Sequence, residues 1–564
     1  MIQDKIPFFK KRNIDDNHLI LEEQCNSTKL IQSGRITKSR IIIAHTGYLI
    51  LSFVLLFISG SCTKWLEIKP ESELVLNDFW QTESQATSVV AACYKSLTSD
   101  DCMKRLILWS EGRSDNVVAF NTNDEALRKM VTFDLSPTNG YCGWGSFYTV
   151  INYCNTFLYY APGVLKVDKN FTQLRLQTLE AEVLTIRSLT YFYLVRTFQN
   201  VPWVDQPSID DKQNYYVPQS SDTVIIANII NDLTKALRYA PESYSTVEQN
   251  KGRITKNAVR ALLADVYLWD LQYEKCAAMC DQIMADETLK LVDTKRIYHE
   301  VFNIGNSTES IFELQFGDPK DNKQFNNIVH NYYGSADNAA GQLAFSDFLA
   351  AGTTLSPFMY KVGNTVESAN DSRFKDFVFP ASGIGQYLIF KYAGAERTQT
   401  TTTSSSYYYR SNTANWIVYR LSDIMLMKAE ALVQLNRSGA DLQEALHLVN
   451  TTYLRSNTES GTDSLKMGSY QTQNDLAKLV LRERQRELLF EGKRWFDIMR
   501  LARRAGSPGP LVGYITSKFT SGSITQIGSN SIMSALYLPI NKSDLNSNPK
   551  LKQNPYYDTG TSSN

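Results

Sequence analysis

Histidine is scarce in this sequence: five in 564 residues, of which His299, His330 and His447 lie beyond the first sixty or so. No CxxC or HxxxH pattern joins them, so no zinc ligand set is legible and neither a metal nor another cofactor is expected. Cysteine is nearly as sparse. Beyond Cys25 and Cys62, the six others (Cys93, Cys102, Cys142, Cys154, Cys276 and Cys280) are spaced too widely for a disulfide scaffold and read as small buried residues. Net charge is absent as well, with 58 Lys plus Arg against 58 Asp plus Glu. No global field therefore attracts nucleic acid or an acidic partner, and nucleic-acid binding is not expected. A membrane-spanning run is also missing: the longest N-terminal apolar stretch is about eleven residues, too short to cross a bilayer.

What is present is apolar and aromatic. The chain is 43% hydrophobic and 12% aromatic, ample for a core, and its 31 Tyr and 8 Trp offer flat apolar faces with polar edges that suit sugars as well as cores. Length alone allows two or three domains or one large helical array. At the N-terminus, Arg35, Lys38 and Arg40 precede YLILSFVLLFISGSC, the order of a secretory signal, which places a signal peptide over residues 1–61. The stretch before Arg35 is long for such a leader, so translation is expected to start later, at a non-Met codon. Residues 62–78 read as a polar tether.

Helical spacing then predicts helices near 79–97, capped by Asn77 or Asp78, and at 145–160, 173–198 and 222–240. Residues 252–284 carry Ala261, Leu262, Ala264, Tyr267, Tyr273 and Ala277 in the small-large-aromatic order of a tetratricopeptide-like helix pair, and 419–453 hold a weaker copy. One such pair cannot bury its own face, so several must stack, with 472–503 closing the array. Residues 109–144 and 303–415 read as loop-rich insertions, the second including a strand-like IFELQF and a Thr/Ser tract. The expected fold is all-α dominated: one domain over 79–564, a tetratricopeptide-like scaffold with units near 173–290 and 419–503, long ligand-binding loops and minor β.

One stretch, LVLRERQRELLFEGKRWFDIMRLARR at 479–504, stands apart. At roughly 100° per residue, Leu476, Leu479, Val480, Glu483, Glu487, Phe490 and Glu491 fall within about 60° of one direction. The carboxylates of Glu483 and Glu487, one turn apart, thus point into an apolar face. They could be a general acid and base, a metal-ligand pair or an ion-pair node. The nearby Arg484, Arg486, Arg494 and Arg500 favour the ion-pair node.

Several blocks together resemble the SusD/RagB family of nutrient-binding outer-membrane lipoproteins. They are Cys62 followed by WLEIKPE, AEVLTIRSLTYFYLVRTFQNVPWV, GRITKNAVRALLADVYL, ESIFELQF, YRLSDIMLMKAEAL, RERQRELLFEGKRWFDIMR and LPINKSDLNSNPKLKQNPYY, in the family's order across the mature chain. The Ser59-Gly60-Ser61-Cys62 junction is similar to a lipoprotein lipobox, although Ser59 departs from the usual aliphatic residue. The resemblance implies lipidation at Cys62, anchoring at the cell surface in the outer membrane, and a SusC-like TonB-dependent transporter as partner, on which the protein acts as a lid capturing oligosaccharide. It also implies that the protein is not an enzyme. The family's ligand loops map to 113–123 and 323–341, nominating Arg113, Asp115, Asn116 and Asn121 for sugar hydroxyls, Tyr332 and Tyr333 as stacking rings, and Asn331 beside them. Tyr407, Tyr408 and Tyr409 are a second-choice platform, His330 is a possible hydrogen-bonding residue, and Trp144 reads as core. Against these stand local roles: Arg113 with Asp115 as a turn-stabilising pair, Asn121 and Asn123 in Asx turns. Peptide cargo on the same fold, a glycoside hydrolase using Glu483 and Glu487, and a structural adaptor are the competing readings. In the family setting Glu483, Glu487 and Arg484 are expected as structural ion pairs, with Arg187 or Arg420 as partners.

Overall fold

Most of the described helices begin where a short side chain caps them. Thr82 and Gln85 form a reciprocal capping box at the start of α1 (Glu83–Leu97), whose Ala86, Val90, Cys93 and Leu97 make its buried stripe. Ser99 caps α2 (Asp100–Ile107), which runs on into a π-helical turn, Leu108–Gly112. Asp124 caps α3 (Glu125–Thr132). After α4 (Gly145–Val167), Thr172 caps α5 (Gln173–Phe198), Ser221 caps α6 (Asp222–Tyr239), Thr246 caps α7 (Val247–Gly252) and Thr255 caps α8 (Lys256–Trp269), which leads into α9 (Tyr273–Met284). Short α10 (Asn327–Tyr333) and α11 (Ser372–Phe377) precede α12 (Leu421–Leu435) and α13 (Gly439–Ser456). A second capping box, Thr472 with Asp475, starts α14 (Gln473–Glu487); α15 (Arg494–Ala505), α16 (Gly509–Ile515) and α17 (Lys542–Ser547) follow.

The structure is a computed structural model that describes residues 79–209, 212–335, 340–346, 358, 360–381, 386–394, 409–459, 462–516, 527–528 and 531–558. All fall in one unit, Leu76–Asn564. The signal, Cys62, the tether, Asn77, Asp78, Tyr407 and Tyr408 lie outside the described residues. The first described long helix starts at Glu83, where Thr82 satisfies its free N–H groups.

At the centre is α5. From Ala181 to Phe198 every residue is buried, so it is enclosed on all sides rather than amphipathic. It packs between α4 and α6. Its two buried arginines are matched from neighbouring helices. Arg187 donates to Asp232 of α6 at 2.7 and 3.0 Å and to Asn155 of α4 at 2.8 Å. Arg196 reaches Asp265 of α8 at 3.3 Å between the rings of Phe192 and Phe496. Helices α8 and α9 pair through a three-residue link in which Leu271 takes φ 59°, and α12 and α13 pair likewise. The pairs join because α9 packs on α12, and α14 closes on α12 and α13. The helix-rich, tetratricopeptide-like scaffold with minor strand content is thus the architecture observed.

The two insertions carry more order than their composition indicates. Within 109–144, EALRKMVT folds as α3, because its eight residues bury Leu127, Met130 and Val131 while charges face out. Strand β1 (Val117–Ala119) lies just before it. The remaining strands are β2 (Val201–Pro202), β3 (Gln219–Ser220), β4 (Ser310–Leu314), β5 (Leu343–Phe345), β6 (Lys361–Val362), β7 (Thr365–Val366), β8 (Val378–Ala381), β9 (Gln386–Ile389) and β10 (Trp416–Arg420). Antiparallel pairing in the order β1-β5-β9-β8 ties the two insertions together, with Val117 opposite Phe345 and Ala119 opposite Leu343. The strand-like IFELQF supplies β4, which pairs with β10 in a ribbon buried along its whole length. The C-terminal segment returns to the centre, where Leu538 N–H donates to Thr197 of α5 at 2.9 Å.

Candidate functional site

The inward carboxylates of α14 are completely occupied. Glu483 accepts from Arg373 at 2.7 and 3.2 Å, from Arg486 at 3.1 Å and from Thr452 at 2.8 Å. Glu487 accepts from Arg373 at 2.8 Å, from Arg420 at 2.5 Å and from Arg455. Burial alone would raise the Glu487 pKa, but Arg455, Arg420 and Arg373 outweigh it and hold the carboxyl well below the usual range. Asp371 clamps the other side of Arg373, Glu309 and Glu491 bind Arg420, and Glu367 binds Arg482 and Arg486. Lys391 completes the set, donating to Glu491 at 2.6 Å and to the carbonyls of Leu489 and Glu487. Arg484 turns to Asp423 and Asp497 at 3.0 and 2.9 Å. Arg187, expected near Glu483 and Glu487, is instead engaged by Asp232. Six acids therefore meet six bases on α11, α13, α14, β10 and the segments between elements, and neither Glu483 nor Glu487 lines any of the cavities described below. Arg373, the central guanidinium, escaped notice in the sequence because nothing in its local pattern marks it as inward.

Most of the nominated loop residues also belong to the core. Arg113 is fully buried, donates to the Leu536 carbonyl at 2.5 Å and lies 4.0 Å above the Trp495 ring. Burial pushes its guanidinium down to about 10. Asp115 accepts two bonds of 2.7 Å from Arg494, and Asn116 joins Gln485 at 2.8 Å to Glu111 at 2.6 Å. Burial raises the Glu111 carboxyl to about 7. EGRSDN thus bolts the π-helical turn to α14 and α15, and Arg113, Asp115 and Asn116 have no solvent-facing edge for a ligand. Tyr333 is corrected likewise: its hydroxyl donates to the Phe490 carbonyl at 3.2 Å and its ring stacks on Tyr392. The doublet sits at the end of α10, not in an open loop. His330 is buried too, its Nδ1 3.1 Å from the Gly334 carbonyl, and burial lowers it to about 4. Tyr409 packs edge-on against Phe390. Trp144 is buried.

Three nominated residues come together at the surface. Asn121, Asn331 and Tyr332 line one cavity of about 210 Å³ with Lys104, Thr122, Asn123, Asp124, Tyr141, Ile328 and Gln342. The β1–β5 pairing brings these segments side by side: Phe120 N–H donates to the Gln342 carbonyl at 2.9 Å and Gln342 N–H to the Asn331 carbonyl at 3.0 Å. Thr122 donates to the Gln342 side chain, and Asn121 to the Ala340 carbonyl, both at 3.1 Å. The Tyr141 hydroxyl donates a hydrogen bond to the Asp124 carboxylate at 2.5 Å, and burial followed by that carboxylate raises its phenol to about 12. The buried Tyr332 hydroxyl lies against Tyr141, and burial followed by that neighbour raises its phenol well above the usual range. Amides, hydroxyls and a ring edge converge here without an assembled nucleophile. Tyr141 and Gln342 were missed because only folding places them beside Asn121. Among the described residues, no group of three or more His, Cys, Asp or Glu could hold a metal ion, and no helix is long and apolar enough to cross a membrane.

Comparison with known proteins places this geometry. Residues 379–557 match the SusD family, and residues 64–268 match the family described as starch-binding associating with outer membrane. The chain belongs to the SusD/RagB family. SusD-like protein P38 of Formosa agariphila is 24% identical over 533 residues, covering 90% of this chain and 98% of that protein. A SusD superfamily protein from Bacteroides vulgatus shares the fold with a TM-score of 0.66 at 20% identity, over 85% of this chain and 100% of that one. A laminarin-binding SusD-like protein gives a TM-score of 0.59 at 22% identity, over 84% and 99%. Proteins of the SusD/RagB family bind nutrients and are not enzymes, in keeping with carboxylates that are consumed by arginines.

Proposed function

We propose that this SusD/RagB protein is a surface lipoprotein that captures oligosaccharide and hands it to a SusC-like TonB-dependent transporter in the outer membrane. The observation that carries the reading is the cavity where Asn121, Asn331 and Tyr332 converge with Tyr141 and Gln342. Planar amides and hydroxyls held by a strand pair suit the paired donors and acceptors of a sugar. The description of the matched N-terminal family and the laminarin-binding relative support a glycan as ligand and the outer membrane as location. Cys62 carries the lipid anchor in this reading.

Calorimetric titration with laminari-, malto-, cello- and xylo-oligosaccharides beside a mixed peptide pool tests the cargo. Saturable heat with a glycan that Asn331→Ala weakens is expected; heat from peptides alone would overturn the reading. For the anchor, Cys62→Ser should abolish incorporation of labelled fatty acid and release the protein from the outer membrane. For the partner, co-purification of a TonB-dependent transporter is expected, and its absence from gently solubilised membranes would argue against the lid role.

A further inference from the structure

A second cavity, of about 410 Å³, opens over the junction of α4 and α5 and shares no residue with the first. Its floor is the half-buried indole of Trp203, which lies on Tyr191 at 4.2 Å and 28°. Tyr215 stands at its rim, 48% exposed. Asn152, Asp205 and Gln206 complete the polar edge.

The loop that carries Trp203 is held in shape before any ligand arrives. Strands β2 and β3 clamp its two ends, pairing Val201 with Ser220 and Pro202 with Gln219. Asn155 donates to the carbonyls of Val204 and Gln206 at 2.9 and 3.2 Å, and Asn155 is itself oriented by Arg187. The Tyr191 hydroxyl accepts from Val204 N–H at 2.8 Å and donates to its carbonyl at 3.0 Å, while Ser208 N–H donates to Asn152 Oδ1 at 2.8 Å. Such anchoring removes the ordering penalty that a mobile loop would carry on binding.

The free functional groups define the ligand chemistry. The Trp203 indole N–H and the Asn152 amide N–H groups have no acceptor among the described residues, and the exposed Asp205 carboxylate meets only the Gln206 amide at 3.4 Å. A flat aromatic surface flanked by N–H donors and one unneutralised carboxylate matches a ring with an apolar C–H face and equatorial hydroxyls. The carboxylate disfavours an acidic sugar. We propose that this cavity is a second carbohydrate site, one that takes a neutral sugar unit of a glycan by stacking on Trp203 and Tyr215, with Asn152, Asp205 and Gln206 binding its hydroxyls. It stands on residues and elements separate from those of the first cavity.

The test uses full-length protein labelled with 5-fluorotryptophan, with the Trp203 resonance assigned by its loss in Trp203→Phe. Laminarihexaose, maltohexaose, cellohexaose and xylohexaose are each titrated and followed by fluorine NMR. The expected result is a saturable shift of the Trp203 resonance with at least one of them, retained in Asn331→Ala. The exposed Tyr215→Ala and the amide-deleting Asn152→Ala variants should weaken that shift at least five-fold in midpoint while the other tryptophan resonances keep their positions. A Trp203 resonance unmoved by all four sugars overturns this proposal. If calorimetric heat is still seen and depends on Asn331, the first site survives alone; if the Trp203 shift appears with no Asn331-dependent heat, only the second does.

Discussion

Glu487 is the residue through which most of the buried charge is routed. It receives Arg373, Arg420 and Arg455 with no water-accessible edge, so removing its charge strands guanidinium groups that cannot be resolvated. Glu487→Gln should lower unfolding stability by about 3 to 5 kcal/mol, read as a fall in the denaturant midpoint, with glycan affinity unchanged. Loss of affinity without loss of stability would return Glu487 to a ligand-binding role. A second residue makes the network sensitive to acid. Glu367 is buried, yet Arg486 and Arg482 overcome that burial and hold its carboxyl at about 2, against 4.5 for an ordinary glutamate. A folded-state pKa lowered in this way contributes stability above the unfolded value, and the contribution is lost as pH falls from about 4.5 to about 2. For Glu367 this amounts to about 3 kcal/mol. Denaturation profiles across that window should steepen in the wild type, and Glu367→Gln should flatten them; an unchanged slope would show that Glu367 is not charged in the folded protein.

Between elements, the decisive joint is the turn from α14 to α15. Phe490 and Gly492 both take positive φ, 66° and 70°, which brings Gly492 N–H within 3.1 Å of Glu111. A Cβ at 492 would stand 2.8 Å from Ser110 Oγ. Gly492→Ala should therefore cost about 1 to 3 kcal/mol from backbone strain alone and loosen the π-helical turn, visible as faster amide exchange around 108–116. Exchange left unchanged there would mean that the joint is more pliable than its geometry. This joint also shows what the sequence could tell. The long helices α5, α8 and α12 were legible because the spacing of their own apolar residues decides them. The inward direction of Glu483 and Glu487 was legible for the same reason. Arg420 was legible as a partner and does meet Glu487, but Arg373 and Glu367 were not, since they come from a region with loop composition and meet α14 only through folding. Equally, EGRSDN looked like a ligand loop because it is polar; its polarity serves Gln485 and Arg494, 369 to 379 positions away. Asn121 and Asn331 keep a face toward solvent and the buried Tyr332 lines the same cavity, because the β1–β5 pairing holds them at an edge of the core.

For the molecule as a whole, charge balance and ligand chemistry have to agree. Positive and negative side chains are equal in number, and the core network neutralises six acids with six bases, so little net field is left to attract a charged cargo. The first cavity offers chiefly amides and hydroxyls, and its one carboxylate, Asp124, is already bonded by Tyr141 and by the Leu127 N–H. Binding there should come from hydrogen bonds of roughly 0.5 to 1.5 kcal/mol each rather than from long-range attraction. Asn331→Ala and Tyr332→Phe should then each weaken glycan binding by about three- to ten-fold with unaltered melting temperature. Raising the salt should change the dissociation constant by less than about two-fold, because neutral partners release no ion atmosphere. A steep salt dependence in the same titrations would point to a charged cargo, and the chain's neutral surface would then have to be reread as a poor match to its ligand.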